Sequence, residues 1–429
     1  MDSLATLTMN RVRLLCFVAA LAGLFEMSAT PAVAQTAPAP VLAPNLELTS
    51  EDALVHFALS HNPDLRSTRW EQDVVAASVT SAAALNNPTA RAEWLHVQSP
   101  ANYGWGVGLE WAPPQPGVYG SGKDAARAQL RAAKADFSER RADLEATVRL
   151  SYAQIAALTE EIALAEKSVE TRRSVHLALK ERVSHGASSR IELSMALVSL
   201  ARGEQERDLL RLGRTTEITK LEALLGLPKG QALSLAPRLT SEAGQEARAA
   251  NRPQLVADAA RADAADATLE AERAKRWPWL SLQARYRKRD QSTYPDDVSL
   301  GLELTLPIFD RNPGPIAAAE ASRAALRDVA AAHRLTIERD VRVLRAESTR
   351  RRELAEHYAQ TIAPVLAEHT ALIKQALAGM ELDLTSLLTA EDMVTHSGIE
   401  YVEARLAQRK AEIGLARALG EYGRVPDGQ

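Results

Sequence analysis

Gly117-Val118-Tyr119-Gly120-Ser121-Gly122-Lys123-Asp124 comes within one residue of a phosphate-binding loop, and the chemistry fails at that residue. The position after the lysine must carry a hydroxyl to hold Mg²⁺, and Asp124 stands there. The glycines read as a turn, and no nucleotide is implied. Nine histidines could ligate a metal, at 56, 61, 96, 176, 185, 333, 357, 369 and 396. No two have the three- or four-residue spacing that puts two ligands on one helix face, so each reads as a solvated histidine and the sequence assigns no metal. Sites formed between chains stay open. Met195, Met380 and Met393 are the methionines beyond the leader, and they make no thioether ladder for cuprous ion. There is no G-x-S-x-G elbow, and carboxylates stand among arginines, as in Arg350-Arg351-Arg352-Glu353. The chain is no enzyme on this reading, and it implies no cofactor.

Chemistry being absent, the informative feature is repetition. Asn62-Pro63-Asp64-Leu65 returns as Arg252-Pro253-Gln254-Leu255, and Asn87-Pro88 returns as Trp277-Pro278, both 190 residues later. Such a repeat is settled first because it decides the fold. After each second proline the period changes to two. Tyr103, Trp105, Val107, Leu109 and Trp111 alternate with Gly104, Gly106, Gly108 and Glu110. In the second copy Leu280, Leu282, Ala284 and Tyr286 alternate with polar residues, as do Val298, Leu300, Leu302, Leu304, Leu306 and Ile308. These are strands with one apolar and one small or polar face. Ten of the nineteen aromatic residues crowd into the two strand windows. Aromatics at the ends of alternating strands mark an outer-membrane barrel, with Trp94, Trp105, Trp111, Trp279 and Tyr286 as the candidate girdle. A soluble sandwich hairpin pair is the second reading.

The rest is helix. One proline-free run covers about Lys123 to Val183, roughly 90 Å at 1.5 Å per residue, and another resumes from Arg190 to Leu225. The second copy runs from Ile316 to Leu377, interrupted by Pro364, breaks at Gly379 and continues to Leu419. Helices this long and rich in alanine need neighbours along their whole length. The expected organisation is a signal peptide over 1–34, an extended tether over 35–48, and a first repeat over 49–228. That repeat holds a strand pair at about 90–112 and a helical hairpin over 123–226. A linker follows at 229–244, then a second repeat over 245–422 with strands at about 279–308 and a hairpin over 316–420, and a tail over 423–429.

The leader carries Arg11 and Arg13, an apolar core from Leu14 to Phe25, and an Ala32-Val33-Ala34 cleavage site. Met9 is an alternative start. Cys16 is the only cysteine, and Leu15 precedes it where lipid attachment needs a small residue, so lipidation is the second reading. Loss of the leader removes thiol chemistry and disulfides. The formal net charge is −4, which gives no basic field for nucleic acid. No later run is apolar and long enough for a membrane helix, so a membrane would be met through β-structure.

These residues resemble the TolC family of outer-membrane efflux channels, and within it the CzcC-like heavy-metal efflux branch. The most specific stretch is Leu306-Pro307-Ile308-Phe309-Asp310-Arg311-Asn312-Pro313-Gly314-Pro315-Ile316-Ala317-Ala318-Ala319-Glu320-Ala321, which resembles that branch's strand-to-helix junction with Pro313 in place of a usual glutamine. Ala58-Leu59-Ser60-His61-Asn62-Pro63-Asp64-Leu65 matches the family's opening. Pro113 to Lys123 departs from it, reading as a longer loop where the family has a short turn. The resemblance implies a mainly α chain with a small contribution to a membrane β-barrel: long antiparallel helical hairpins plus four β-strands, an internal two-fold repeat, closed only as a homotrimer. Open edges cannot be satisfied by lipid, which independently requires other copies.

The resemblance also implies a periplasmic tip at the two helix breaks, where an adaptor docks. Gly186, Glu192, Gly379, Glu381 and Asp383 are its candidate residues, with the carboxylates placed to ring a cation path. An ordinary capped hairpin reads them equally well. The function implied is a passive outer-membrane duct of a tripartite system, partnered by a periplasmic adaptor, an inner-membrane RND-type pump and outer-membrane lipid. Its cargo is divalent heavy-metal cations, or alternatively drugs and organic solutes. The rival from another class is a periplasmic coiled-coil adaptor, disfavoured by two hairpins and only two strand pairs.

Overall fold

The computed structural model describes residues 45–47, 50–98, 101–228, 232–235, 237–240, 252–289, 296–379 and 384–423. The expected signal peptide, most of the tether, half of the linker, and the tail beyond 423 lie outside these residues. After a short strand β1 (Asn45–Glu47), helix α1 (Glu51–His61) starts at Ser50, whose hydroxyl accepts from the Ala53 N–H at 3.2 Å. Helix α2 (Pro63–Ala83) begins with proline at its first position, and the Asn62 side chain accepts from the Leu65 N–H at 2.8 Å. Strands β2 (Thr89–Gln98) and β3 (Ala101–Trp111) follow.

Helix α3 (Pro116–Ser184) is 69 residues long, about 100 Å at 1.5 Å per residue. It starts earlier than the sequence suggested: the expected glycine turn at 117–123 is helical. Pro116 sits at the first position, where its missing N–H costs nothing. A Cβ at Gly117 would stand 2.7 Å from the Ala274 Cβ, so this glycine serves a close helix contact and not a turn. Helix α4 (Arg190–Leu225) closes the first hairpin, and β4 (Ala232–Ser234) pairs in parallel with β1.

The second copy repeats the order: α5 (Pro253–Ala274), β5 (Trp279–Arg289), β6 (Asp297–Thr305), α6 (Pro313–His357), α7 (Ala363–Gly379) and α8 (Leu384–Ala418). Strand β6 stops at Thr305, short of the expected Ile308, because Pro307 cannot donate to a ladder. Between α6 and α7 lies a π-turn, Tyr358–Ile362. Pro364 explains it: the ring would strike the carbonyl four residues back, and one extra residue in the turn relieves the clash.

The long helices stand in four columns. Column two is α3, flanked by α2 and α4 on one side and by α5 and α8 on the other; α6 packs on α5 and α8 as column four. The four strands repeat this order as one antiparallel sheet, β2-β3-β5-β6, in which β3–β5 pairing joins the two repeats. The contact faces of α3 are lined with alanine, including Ala128, Ala142, Ala156 and Ala157, so neighbours approach closely. Larger side chains fill the belt where helices stack end on end, with Leu54, Val148, Ile155, Leu221 and Leu225 fully buried.

At that belt Gly226, with φ +69, caps the end of α4. A Cβ there would stand 2.9 Å from the His61 carbonyl oxygen. Gly226→Ala combines a left-handed backbone with this clash, and on the order of 1–3 kcal/mol of stability should be lost. The expected result is a lowered thermal midpoint; an unchanged midpoint would contradict the close packing of α4 on α1.

Candidate functional site

The strand register sorts side chains into two walls. On one face lie Trp94; Trp105, Val107, Leu109 and Trp111; Leu280, Leu282, Ala284 and Tyr286; and Val298, Leu300, Leu302 and Leu304. Leu300 is 84% exposed and Leu302 66%, with no protein over them. Such a patch demands an apolar solvent or partner. The strands are 9 to 11 residues long, the length of a tilted transmembrane strand. Trp105 and Tyr286 meet edge to face at 5.5 Å, and the Trp111 indole donates to the Asn86 carbonyl at 2.9 Å. Trp279 pairs with Thr305 and shares its face with Ser281 and Gln283, so the alternation separates it from the other four girdle candidates.

The opposite wall is polar, with Arg91, Glu93, Glu110, Gln283, Arg285, Arg287, Ser299 and Glu303 around a stripe of glycines at 104, 106, 108 and 301. Gln283 donates to Glu303 at 2.7 Å.

At the other end of the helices, Val175, Leu179, Ala196, Ile373, Leu384 and Leu387 form one buried cluster drawn from α3, α4, α7 and α8, so the two helix breaks belong to one end of the molecule. Gly186 sits in the first break with φ +72. Glu192 is engaged locally: its carboxylate accepts from the Ser189 N–H at 2.8 Å, and Ser189 Oγ accepts from the Glu192 N–H at 3.2 Å. Gly379 is the last residue of α7. Glu381 and Asp383 lie outside the described residues.

Sequence reasoning missed the charged side chains that join the two repeats. Arg172 of α3 is 5% exposed and donates to Glu391 Oε2 of α8 at 2.9 Å, to the Ser199 carbonyl at 3.0 Å and to Asp392. Gly203 makes room, since a Cβ there would stand 3.2 Å from Arg172 Cδ. Nearer the sheet, Arg149 reaches Glu51 at 3.2 Å, Asp52 at 2.9 Å and Glu145 at 3.2 Å, while Arg409 bonds the same Glu51 at 2.9 Å. Burial alone would lower the Arg149 pKa, but Glu51, Tyr422 and Glu145 outweigh it and hold the guanidinium charged. Glu161 is pushed toward its neutral form, its carboxyl pKa raised by burial and by Glu403. Apart from the Arg149–Glu145 pair, four residues apart on one helix, the charged partners lie 97 to 358 residues apart and leave no periodic trace in a sequence.

Among the described residues no group of His, Cys, Asp or Glu could hold a metal ion, and no helix is long and apolar enough to cross a membrane.

A family model described as outer membrane efflux protein matches residues 54–227 and 245–421. The cobalt-zinc-cadmium resistance protein CzcC of Cupriavidus metallidurans is 24% identical over 304 residues, covering 69% of this chain and 72% of its own. The pyoverdine export outer membrane protein OpmQ of Pseudomonas putida is 27% identical over 323 residues, covering 70% and 66%. The fold is similar to that of the CmeC outer membrane channel of Campylobacter jejuni, with a TM-score of 0.74 at 15% identity over 86% of this chain and 85% of that one. It is also similar to the outer membrane protein VceC of Vibrio cholerae, with a TM-score of 0.73 at 17% identity over 86% and 96%.

Proposed function

The chain belongs to the outer membrane efflux protein family, an outer-membrane channel reaching into the periplasm and not an enzyme, and from that premise we propose a homotrimeric duct fed by a periplasmic adaptor and an inner-membrane RND-type pump. The adaptor reading of the chain itself falls with the family match. One observation carries the homotrimer: both layers of the molecule are open at the same two edges. Strands β2 and β6 are the sheet edges, and α2/α4 and α6/α7 are the edge columns. The edge columns expose large apolar side chains, including Trp70, Val74, Leu209 and Leu212 on one and Leu335, Val343, Val365 and Leu372 on the other. An even strand number lets β2 of a second copy add antiparallel to β6. Such a head-to-tail contact closes into a ring. Three copies, the number the family resemblance implies, would make a twelve-stranded barrel continued by a helical tunnel.

The cargo reading is divalent heavy-metal cations, supported by the likeness to the cobalt-zinc-cadmium resistance protein. Organic solutes are the second reading, supported by a pyoverdine-export relative at comparable identity. A strain lacking this chain should become sensitive to cobalt, zinc or cadmium and regain tolerance when it is restored. Sensitivity to organic toxins alone would select the second reading.

We place the gated end at the paired breaks. Cysteines introduced at Gly186 and Gly379 should crosslink between chains and stop efflux, with reduction restoring it. The native Cys16 lies in the leader, so no competing thiol is expected in the mature protein. Continued efflux despite full crosslinking would move the gate elsewhere.

A further inference from the structure

Among the described residues, two neighbouring rows of the polar wall hold more arginines than carboxylates. Arg91 on β2, Gly108 on β3, Arg285 on β5 and Ser299 on β6 share one row of the ladder, and Glu93, Gly106, Arg287 and Asp297 share the next. The carboxylate beside Arg285 is Glu93, at 4.0 Å, the outer limit of an ion pair. The Arg287 Nε is buried and has no hydrogen-bond partner among the described residues.

Glycine makes this arrangement possible. A Cβ at Gly106 would stand 3.2 Å from Arg287 Cγ, and one at Gly108 would stand 3.9 Å from Arg285 Nε. The two guanidinium arms therefore lie over bare β3 backbone, close to the wall. Three guanidinium groups share these two rows with two carboxylates, Glu93 and Asp297, leaving a positive surplus in each chain. The remaining wall acids, Glu110 and Glu303, sit in rows nearer the helices.

Spacing selects the ligand. Arg91 and Arg285 are two strand spacings apart, about 9.6 Å, and Arg285 and Arg287 are two residues apart on one strand, about 6.8 Å. Over such backbone spacings a molecule with several anionic groups can meet all three arms at once without drawing them together. Guanidinium groups favour carboxylate and phosphate oxygens through paired donors.

We propose that Arg91, Arg285 and Arg287 form an anion-binding station on the inner wall of the barrel, and that cargo crosses it as a multivalent oxyanion, such as a polycarboxylate or an anionic metal chelate. The proposal rests on the channel reading above. A bare divalent cation would meet repulsion in these rows, so a metal leaving by this route leaves complexed.

The test is citrate block of KCl current through purified protein in planar lipid bilayers, with citrate added on the side of the β2–β3 turn. Wild-type current should be blocked. The triple variant Arg91→Ser/Arg285→Ser/Arg287→Ser should raise the half-blocking concentration by about tenfold or more while still conducting. Lysine at all three positions should keep the block, separating charge from a folding effect. A conducting wild type that citrate does not block, or equal block of the wild type and the serine variant, overturns the station and leaves the channel standing. Protein that inserts but carries no current in any form contradicts the channel reading, and the station with it.

Discussion

Leu302→Arg is expected to cost about 2–4 kcal/mol of insertion free energy near mid-bilayer and to leave the protein out of the outer-membrane fraction. Leu302 pairs with Leu282 across the ladder and is 66% exposed on a wall of Val298, Leu300 and Leu304. A guanidinium there loses its water and gains no partner, since the neighbouring strand offers leucine and alanine. The matched substitution Ser299→Arg places the same group three residues away on the opposite wall. That wall already carries arginines and glutamates and is expected to be wetted, so insertion should be unchanged. Fractionation of the two variants reads the difference, and equal tolerance of both would remove the membrane assignment of the sheet.

The second large effect is expected at the far end of the helices. Glu391→Ala strips a buried guanidinium of its buried partner, and breaking a pair of this kind costs about 3–5 kcal/mol. Both side chains are nearly closed off, at 6% and 7% exposure. Asp392 remains beside Arg172 but is 64% exposed and solvated, which places the loss toward the lower end of that range. Replacing both charges, as in Arg172→Met/Glu391→Leu, should be close to neutral because no charge is then left buried. Denaturant unfolding followed by far-ultraviolet circular dichroism measures both. A Glu391→Ala variant as stable as the wild type would show that this contact does not hold the hairpins together.

Much of the fold was legible because its signals are local. Pro63 and Pro253 mark the repeat and open helices, and the alternation from Val298 to Leu304 gives a strand and its apolar face at once. The turn at Gly186 was visible as a glycine break between two long helical runs. What escaped reading was set by tertiary contact. Gly117 looks like a loop glycine until Ala274 is found against it, and the π-turn at Tyr358 needs the clash of Pro364 to be resolved in three dimensions. Trp279 resembled its aromatic neighbours in composition, and only the register with Thr305 puts it on the other wall. The Arg172–Glu391 and Arg409–Glu51 contacts bridge repeats, so each arginine taken alone looked like one more solvated charge on a helix.

The central claim is that three copies close the sheet into one barrel, and the size of the membrane-extracted protein tests it most directly. Protein extracted from outer membranes in mild detergent should migrate on a denaturing gel at three times the chain mass when left unheated, and collapse to a single-chain band on boiling. A single-chain or two-chain species in the unheated sample, confirmed by light scattering in the same detergent, would contradict the trimeric channel.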